Sequence, residues 1–236
     1  MPQPFACRKL RKPMSPPSDH LRPTDKDIAE VVAPILERSA QLGFLGGMAI
    51  PEQIDHAIGF CQVAESQLGR PPNSALDLGT GGGIPGLVLA AVWPGTELTL
   101  LDANQRRTEF LTQEIRDWGI SDRVTVVRGR AEESARLPAL RGSFELVTAR
   151  SFGSPAVTAE CAAPFLETGG ILVVSEPPDA GDSDRWPAEG LGVLGLAPVS
   201  ASRHRERFGY QVVEKRSETP DRFPRRTGIP TKRQLF

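Results

Sequence analysis

One stretch, Asp77-Leu78-Gly79-Thr80-Gly81-Gly82-Gly83-Ile84-Pro85-Gly86, constrains this chain more than any other. It follows a short apolar segment and precedes an apolar pattern of helical period. Glycines there let the backbone turn tightly and let a ligand approach where a Cβ would intrude. Pro85 suits the opening turn of the following helix, whose unpaired N–H groups face the same crevice. A strand that turns through glycines into a helix is the first unit of an open α/β sheet, and such sheets bind ligands at the carboxyl ends of their strands. The rest of the chain must then alternate strands and helices.

It does so. Ala75–Leu78, Glu97–Leu101, Val124–Val127, Phe144–Thr148 and Ile171–Ser175 read as strands, with helices over Pro85–Val92, Gln105–Trp118 and Pro155–Leu166. After a Pro/Asp/Gly-rich excursion around Pro177–Gly190, Ala197–Ser202 and Tyr210–Glu214 form a hairpin joined by the charged turn Arg203–Gly209. Upstream, Thr24 caps a helix with Asp27 at N3 and Ile28, Val31, Val32, Ile35 and Leu36 at helical spacing, ending near Gly43. Pro51 opens a second helix, with Ile54, Ile58, Cys61, Val63 and Leu68 on its buried side and Gly69 at its end. The expected fold is α/β and Rossmann-like: a mostly parallel seven-stranded sheet with a terminal antiparallel hairpin and a small N-terminal helical cap. Its expected parts are a disordered basic tail over residues 1–23, the cap over 24–70, the ligand-binding domain over 71–218 and a basic tail over 219–236.

Glycine spacing alone does not choose the ligand, since Gly79, Gly81 and Gly83 give GxGxG while Gly81, Gly83 and Gly86 give GxGxxG. Asp102, at the tip of the second strand, suits a ribose hydroxyl pair and serves NAD and S-adenosylmethionine equally. Asp77 before the glycines, and too little chain for a dehydrogenase's separate substrate domain, favour S-adenosylmethionine; Asp77 also suits the role of loop organiser. After the third strand, the backbone of Ala131 and the side chain of Glu132 are placed to read an adenine edge, while Glu132 and Glu133 equally suit the first turn of a helix. Arg150, after the fourth strand, puts a cation beside the crevice for a methionine carboxylate or an RNA phosphate.

The net charge of -1 conceals polarity along the chain. Residues 1–26 carry six Lys/Arg against two acids, 27–200 twelve against 23, and 201–236 ten against four. Basic ends around an acidic body suit a polyanionic partner. Cys7, Cys61 and Cys161 lie far apart with no metal-ligand spacing, which points to a reducing cytoplasm, no disulfide framework and no metal. No apolar run reaches the roughly 20 residues that span a bilayer, so no membrane partner is expected, and the oligomeric state is left open.

With these residues assembled, the chain resembles the glucose-inhibited division protein B family, bacterial 16S ribosomal RNA guanine-N7 methyltransferases. The resemblance runs from Ser74 to Phe236 and rests on Asp77–Gly86, Arg130-Ala131-Glu132-Glu133, Ala149-Arg150-Ser151-Phe152 and the tail Phe223-Pro224-Arg225-Arg226-Thr227-Gly228-Ile229-Pro230-Thr231-Lys232. It implies a class I methyltransferase fold, S-adenosylmethionine as cofactor, and ribosomal RNA or the small ribosomal subunit as partner. It also puts Gly79, Ile84, Ala131, Glu132 and Arg150 at cofactor-contacting positions, joining Asp77, Gly81, Gly83 and Asp102. The chain departs from the family where the family has Asn-Leu-Thr and His-x-x-Asp-Ser elements: here it reads Leu42–Gly47, and His56 lacks the following Asp-Ser. Val174-Ser175-Glu176-Pro177-Pro178 stands where the family has Leu-Lys-Gly.

A guanine N7 lone pair needs no general base, and no His/Asp dyad stands out in the sequence: His20 and His204 lie in charged surroundings expected at the surface, and His56 reads as a helix residue. For the tail, Arg222, Phe223, Arg225, Arg226, Lys232 and Arg233 suit RNA, with cations on phosphate and Phe223 stacked on a base. The equally weighted alternative is a strap folded over the sheet and anchored by Phe223 and Phe236.

Overall fold

The computed structural model describes residues 22–177, 185–205 and 207–236; the expected N-terminal tail up to residue 21, with Cys7 and His20, and residues 178–184 of the Pro/Asp/Gly-rich excursion lie outside them. Strands β1 (Ser74–Leu78), β2 (Glu97–Asp102), β3 (Val124–Arg128), β4 (Phe144–Ala149), β5 (Leu166–Glu176), β6 (Leu196–His204) and β7 (Phe208–Lys215) form a seven-stranded sheet in the order β3-β2-β1-β4-β5-β7-β6. The first five pair in parallel, and β7 runs antiparallel between β5 and β6. The helices are α1 (Asp25–Gln41), α2 (Ile50–Leu68), α3 (Gly86–Val92), α4 (Gln105–Trp118), α5 (Ala131–Ser134), α6 (Pro155–Ala162), α7 (Ala188–Gly192) and α8 (Ile229–Lys232). A 3-10 turn over Ala163–Phe165 leads from α6 into β5.

The α/β alternation and the terminal hairpin agree with the sequence reading, and Thr24 forms the expected reciprocal cap with Asp27. Several boundaries moved: the helix expected over Pro155–Leu166 ends at Ala162 in a 3-10 turn, and two shifts in the sheet are larger in consequence. β5 begins five residues before Ile171, because Leu166 pairs with Phe144 ahead of a register shift, while the exposed Glu167, Thr168 and Gly169 break the apolar run that marks a strand. The hairpin turn is shorter than Arg203–Gly209, because Arg203 and His204 pair with Gly209 and Phe208 of β7.

Alternate residues of the central strands serve two cores. On one face Ala75, Leu98, Leu100, Ile171 and Val173 pack with Ile28, Leu36, Phe60 and Leu87 of α1, α2 and α3. On the other, Leu76, Leu78, Leu101, Leu172 and Val174 pack with Ala159, Phe165, Leu191 and Phe223. The N-terminal helices are thus part of one face of the sandwich, sharing their apolar contacts with α3.

The C-terminal segment closes the second face as a strap. Phe223 is 4% exposed, and Leu235 and Phe236 pack against the same cluster. Arg136 donates to the Pro224 carbonyl, and Arg141 to the carbonyls of Thr219 (2.9 Å) and Phe223 (3.1 Å). Its strongest tie is Arg225, whose Nε and Nη2 donate to both oxygens of Glu160 at 2.6–3.1 Å, while its backbone N–H donates to Oε1 at 2.8 Å. Glu160 is fully buried on α6, so this pair answers a desolvated charge.

The cap meets the hairpin through a polar and aromatic cluster. His56 of α2 stacks on Phe208 with ring centroids 4.6 Å apart and is 8% exposed. Burial, and after it the Arg150 and His204 charges, hold its imidazole down at about 4. The Tyr210 hydroxyl donates to the His56 carbonyl at 2.6 Å. His204 is also buried, not at the surface as its charged neighbours suggested, and its Nε2 lies 3.0 Å from Asp55 Oδ1. Arg205 holds the same carboxylate at 3.1 Å, so a His/Asp pair that the sequence did not reveal exists and is built into the cap–hairpin contact.

Two expectations follow. Arg225→Ala leaves Glu160 buried and uncompensated and should cost about 3–5 kcal/mol in chemical denaturation, whereas Arg226→Ala, an exposed neighbour, should stay within about 0.5 kcal/mol. His56 has a folded-state pKa below its unfolded value, so the unfolded chain binds more protons and stability falls as pH drops from about 6.5 toward about 4. His56→Leu should flatten that decline in thermal melts taken between these limits. An unchanged slope would mean that His56 is charged in the folded chain.

Candidate functional site

β1 delivers the chain to the glycine loop, and β2, not β1, holds the loop in shape. The Leu101 carbonyl accepts the N–H groups of Gly79 (2.8 Å) and Thr80 (2.9 Å). Asp102 then accepts the Gly81 N–H on Oδ2 at 2.9 Å and the Asn104 N–H on Oδ1 at 2.8 Å, with Arg107 at 3.7 Å. Gly79, Gly81 and Gly83 have φ of 72°, 58° and 105°, in the region where an L side chain is strained. The alternating glycines are therefore a backbone requirement before any ligand is considered.

The space beside each glycine differs. A Cβ on Gly82 would meet Ser39 and Leu45, on Gly83 Leu87 and Leu111, and on Gly86 Leu100 and Asp77. These three let helices close on the loop. Gly79 lies under the Phe152 ring, 2.7 Å from where its Cβ would be. Gly81 meets only the Gly79 carbonyl oxygen, at 3.8 Å, so the bare main chain read from the sequence is confined largely to Gly81. Ile84 is 5% exposed and belongs to the first core.

Asp77 is buried, and its oxygens accept the Gly86 N–H at the start of α3 (2.9 Å) and the Thr148 hydroxyl of β4 (3.0 Å). Burial pushes its carboxyl up to about 6, against the pull of these bonds and of the Arg150 charge. This is the loop-organising role. Arg150 donates from both terminal nitrogens to Gln53 Oε1 at 3.2 and 3.1 Å, and burial lowers the pKa of its guanidinium. Gln53, fully buried in the first turns of α2, anchors itself on the Met48 carbonyl at 2.9 Å. Sequence reasoning missed Gln53; Pro51 marked the helix start, but nothing in the sequence pairs position 53 with position 150.

Ala131 is 7% exposed at the start of α5, and Glu132 and Glu133 occupy that helix's first turn. Their carboxylates also hold the strap: Glu132 Oε1 accepts the Gly228 N–H, and Glu133 Oε1 the Thr227 hydroxyl, each at 2.9 Å. Of the tail residues read for RNA, Phe223 is buried and its ring is unavailable to stack on a base, and Arg225 is committed to Glu160. Arg222, which lies over the Phe223 ring at 4.9 Å, and Arg226, Lys232 and Arg233 are exposed. A groove of about 360 Å³ opens between α4 and β3, lined in part by Gln105 and Arg128.

Residues 33–176 match a family model described as GidB, rRNA small subunit methyltransferase G. The ribosomal RNA small subunit methyltransferase G of Streptococcus pyogenes serotype M12 is 32% identical over 179 residues, covering 73% of this chain and 74% of that protein. The protein of the same name from serotype M1 gives the same figures. Among solved structures, the O-methyltransferase of Bacillus cereus in complex with SAH superposes with a TM-score of 0.55 at 15% identity, over 81% of this chain and 96% of that one. The 1,6-didemethyltoxoflavin-N1-methyltransferase of Burkholderia thailandensis, with S-adenosylhomocysteine bound, gives 0.53 at 16% identity, over 85% and 94%. The structural likeness establishes the Rossmann-like methyltransferase fold, and the sequence match, which spans more than half of the 236 residues, establishes that the chain belongs to the rRNA small subunit methyltransferase G family.

Proposed function

We propose that this chain methylates the N7 of a guanine in small-subunit ribosomal RNA in the cytoplasm, with S-adenosylmethionine as donor. The observation that carries the reading is the junction of β1 and β2, where Gly81 is held at positive φ on Asp102 with open space where its Cβ would stand. An ionised carboxylate has about four acceptor positions, and Gly81 and Asn104 use two of those on Asp102. The remainder suit a pair of ribose hydroxyls. Glu132 commits Oε1 to Gly228 and keeps Oε2 for a base edge beside the Ala131 backbone. Gly79, Gly83 and Ile84 shape the loop, Asp77 fixes it to α3 and β4, and Arg150 supplies a cation near the carboxyl end of β4.

When bound, S-adenosylmethionine supplies a sulfonium-activated methyl group that an aromatic nitrogen lone pair can take. Guanine N7 carries no proton, so the chain need only orient the base and exclude water; well-oriented reactions gain up to roughly 7–11 kcal/mol from positioning. The Asp55–His204 pair fits this reading, since it is buried against Arg205 and has a structural task. Arg150 is positioned by Gln53 and so tied to the cap. Family membership and the exposed cations of the strap support RNA as the substrate.

Asp102→Ala should raise the dissociation constant for S-adenosylhomocysteine about ten- to a hundredfold in calorimetry, the equivalent of about 1.5–3 kcal/mol for hydrogen bonds to a charged acceptor. Unchanged affinity would reject the ribose assignment. Purified protein given methyl-labelled S-adenosylmethionine with naked 16S RNA, assembled small subunits or a metabolite extract should label RNA, and nucleoside analysis should find N7-methylguanosine. Label confined to metabolites would reassign the substrate; failure to bind S-adenosylhomocysteine would remove the catalytic reading.

A further inference from the structure

Many arginines of this chain have carboxylate partners. On the cap, on the hairpin and at the foot of the sheet they meet carboxylates: Arg22 with Glu65, Arg38 with Glu114, Arg70 with Glu145, Arg205 with Asp55 and Arg207 with Glu52, all at 2.5–3.1 Å. Arg116 and Arg128, which line the groove between α4 and β3, are exposed and have no carboxylate of a described residue within 4.0 Å. The same holds for Arg130, Arg226 and Lys232. Arg106, Arg203, Arg222 and Arg233 likewise have no such partner among the described residues, so it is the groove that sets Arg116 and Arg128 apart.

Arg128 ends β3 opposite Asp102, two residues before Arg130, which caps α5. The first turn of α5 grips Thr227 and Gly228, so Arg226 follows directly, and Lys232 closes α8. The groove lies on the face of the sheet where α4 packs and the strap on the other, so a chain leaving the groove at Arg128 reaches Arg226 and Lys232 by passing over the carboxyl ends of β3 and β2.

The groove itself holds about 360 Å³ between a helix face and the free edge of β3, the outermost strand. Its wall is mixed: the hydroxyls and amides of Thr108, Thr112, Gln105 and Gln113 interrupt a surface to which side-chain carbons and Val126 contribute the larger part. Glu109 is its one acid, and its Oε1 accepts from the Gln105 amide at 2.7 Å. Arg116 Nη1 donates to Gln113 Oε1 at 3.0 Å, a neutral partner that leaves its charge uncompensated. Two cations, hydroxyls and amides along a shallow, open groove match a phosphodiester backbone with its sugar hydroxyls. A peptide added to the β3 edge would use the main chain of that strand but not the charge that continues beyond it.

We infer that the α4–β3 groove, through Arg116 and Arg128, seats a single-stranded segment of the RNA substrate, whose backbone continues over Arg130 to Arg226 and Lys232 on the strap. The inference rests on the proposed reading that RNA is the substrate. In it the strap is a rigid platform for phosphates, held by Glu160, Glu132 and Glu133, rather than a free arm. The strap contributes only its exposed cations.

The test compares the full chain with the double variant R116Q/R128Q and with the control R207Q, which removes a paired arginine on the hairpin turn. Binding of a labelled mixed-sequence single-stranded RNA is followed by anisotropy over a salt series, and S-adenosylhomocysteine binding is followed in parallel. Each phosphate contact on a single strand contributes about 0.7 to the slope of log affinity against log salt, so the double variant should lose about 1.4 of that slope and bind on the order of tenfold more weakly at low salt. The loss should be alike for two unrelated RNA sequences, with S-adenosylhomocysteine affinity unchanged and R207Q like the parent. A parent-like slope in the double variant overturns the groove assignment while leaving the RNA reading intact. The same slope with lost retention on ribosomal proteins would assign the groove to a protein partner instead. If the parent binds no RNA, the RNA reading and the groove fall together.

Discussion

Gly79, Thr80 and Gly81 follow β1 in the chain but are fastened to β2. Two of their N–H groups end on the Leu101 carbonyl and the third on the Asp102 carboxylate. Backbone amides turned away from regular structure must find acceptors, because an unpaired buried N–H costs about as much as a lost hydrogen bond. The second strand supplies them at its tip, at the carboxyl end of the sheet, where open α/β folds bind ligands. The register Leu78↔Leu101 between β1 and β2 sets this arrangement. A shift by one residue would turn Asp102 to the other face of the sheet and leave the loop without its acceptor.

Around that junction the sandwich is fastened by charges whose partners are far apart in sequence. Asp77 joins β1 to α3 and β4, Gln53 ties the cap to Arg150, and Glu160 takes Arg225 across the second face. Each is a buried polar group satisfied by hydrogen bonds, the condition under which burial is tolerated. Glu132 and Glu133 add a link of a different kind, since they belong both to the loop after β3 and to the binding of the strap. The C-terminal segment is thereby fastened to the first turn of α5.

Much of this was legible in the chain. Period-2 and period-3.6 apolar patterns placed the strands and long helices, because one face of each element must meet the core. The boundaries of α4, Gln105–Trp118, matched the sequence reading, since Asn104 caps it and Gly119 ends it in the left-handed region. The 3-10 turn after α6 and the early start of β5 were not legible, because Glu167, Thr168 and Gly169 are exposed on a strand that pairs only through its backbone there. The short helices α7 and α8 span five and four residues, too few to show a period.

By itself the sequence determined the α/β order, the glycine turn and the acid at the tip of β2, because these depend on local backbone freedom and on apolar spacing. The tertiary structure decided which charges are spent. His204 looked exposed among arginines and is buried on Asp55; of the two readings of the tail, Phe223 and Arg225 take that of strap anchors, while Arg116 and Arg128 line a groove with no carboxylate of a described residue within 4.0 Å. A carboxylate 65 residues from Arg225 along the chain cannot be assigned to it by any local pattern. The difference is physical: hydrophobic burial repeats along the chain and can be read from spacing, whereas an ion pair depends on one contact that exists only after the sheet, helices and strap have closed on each other.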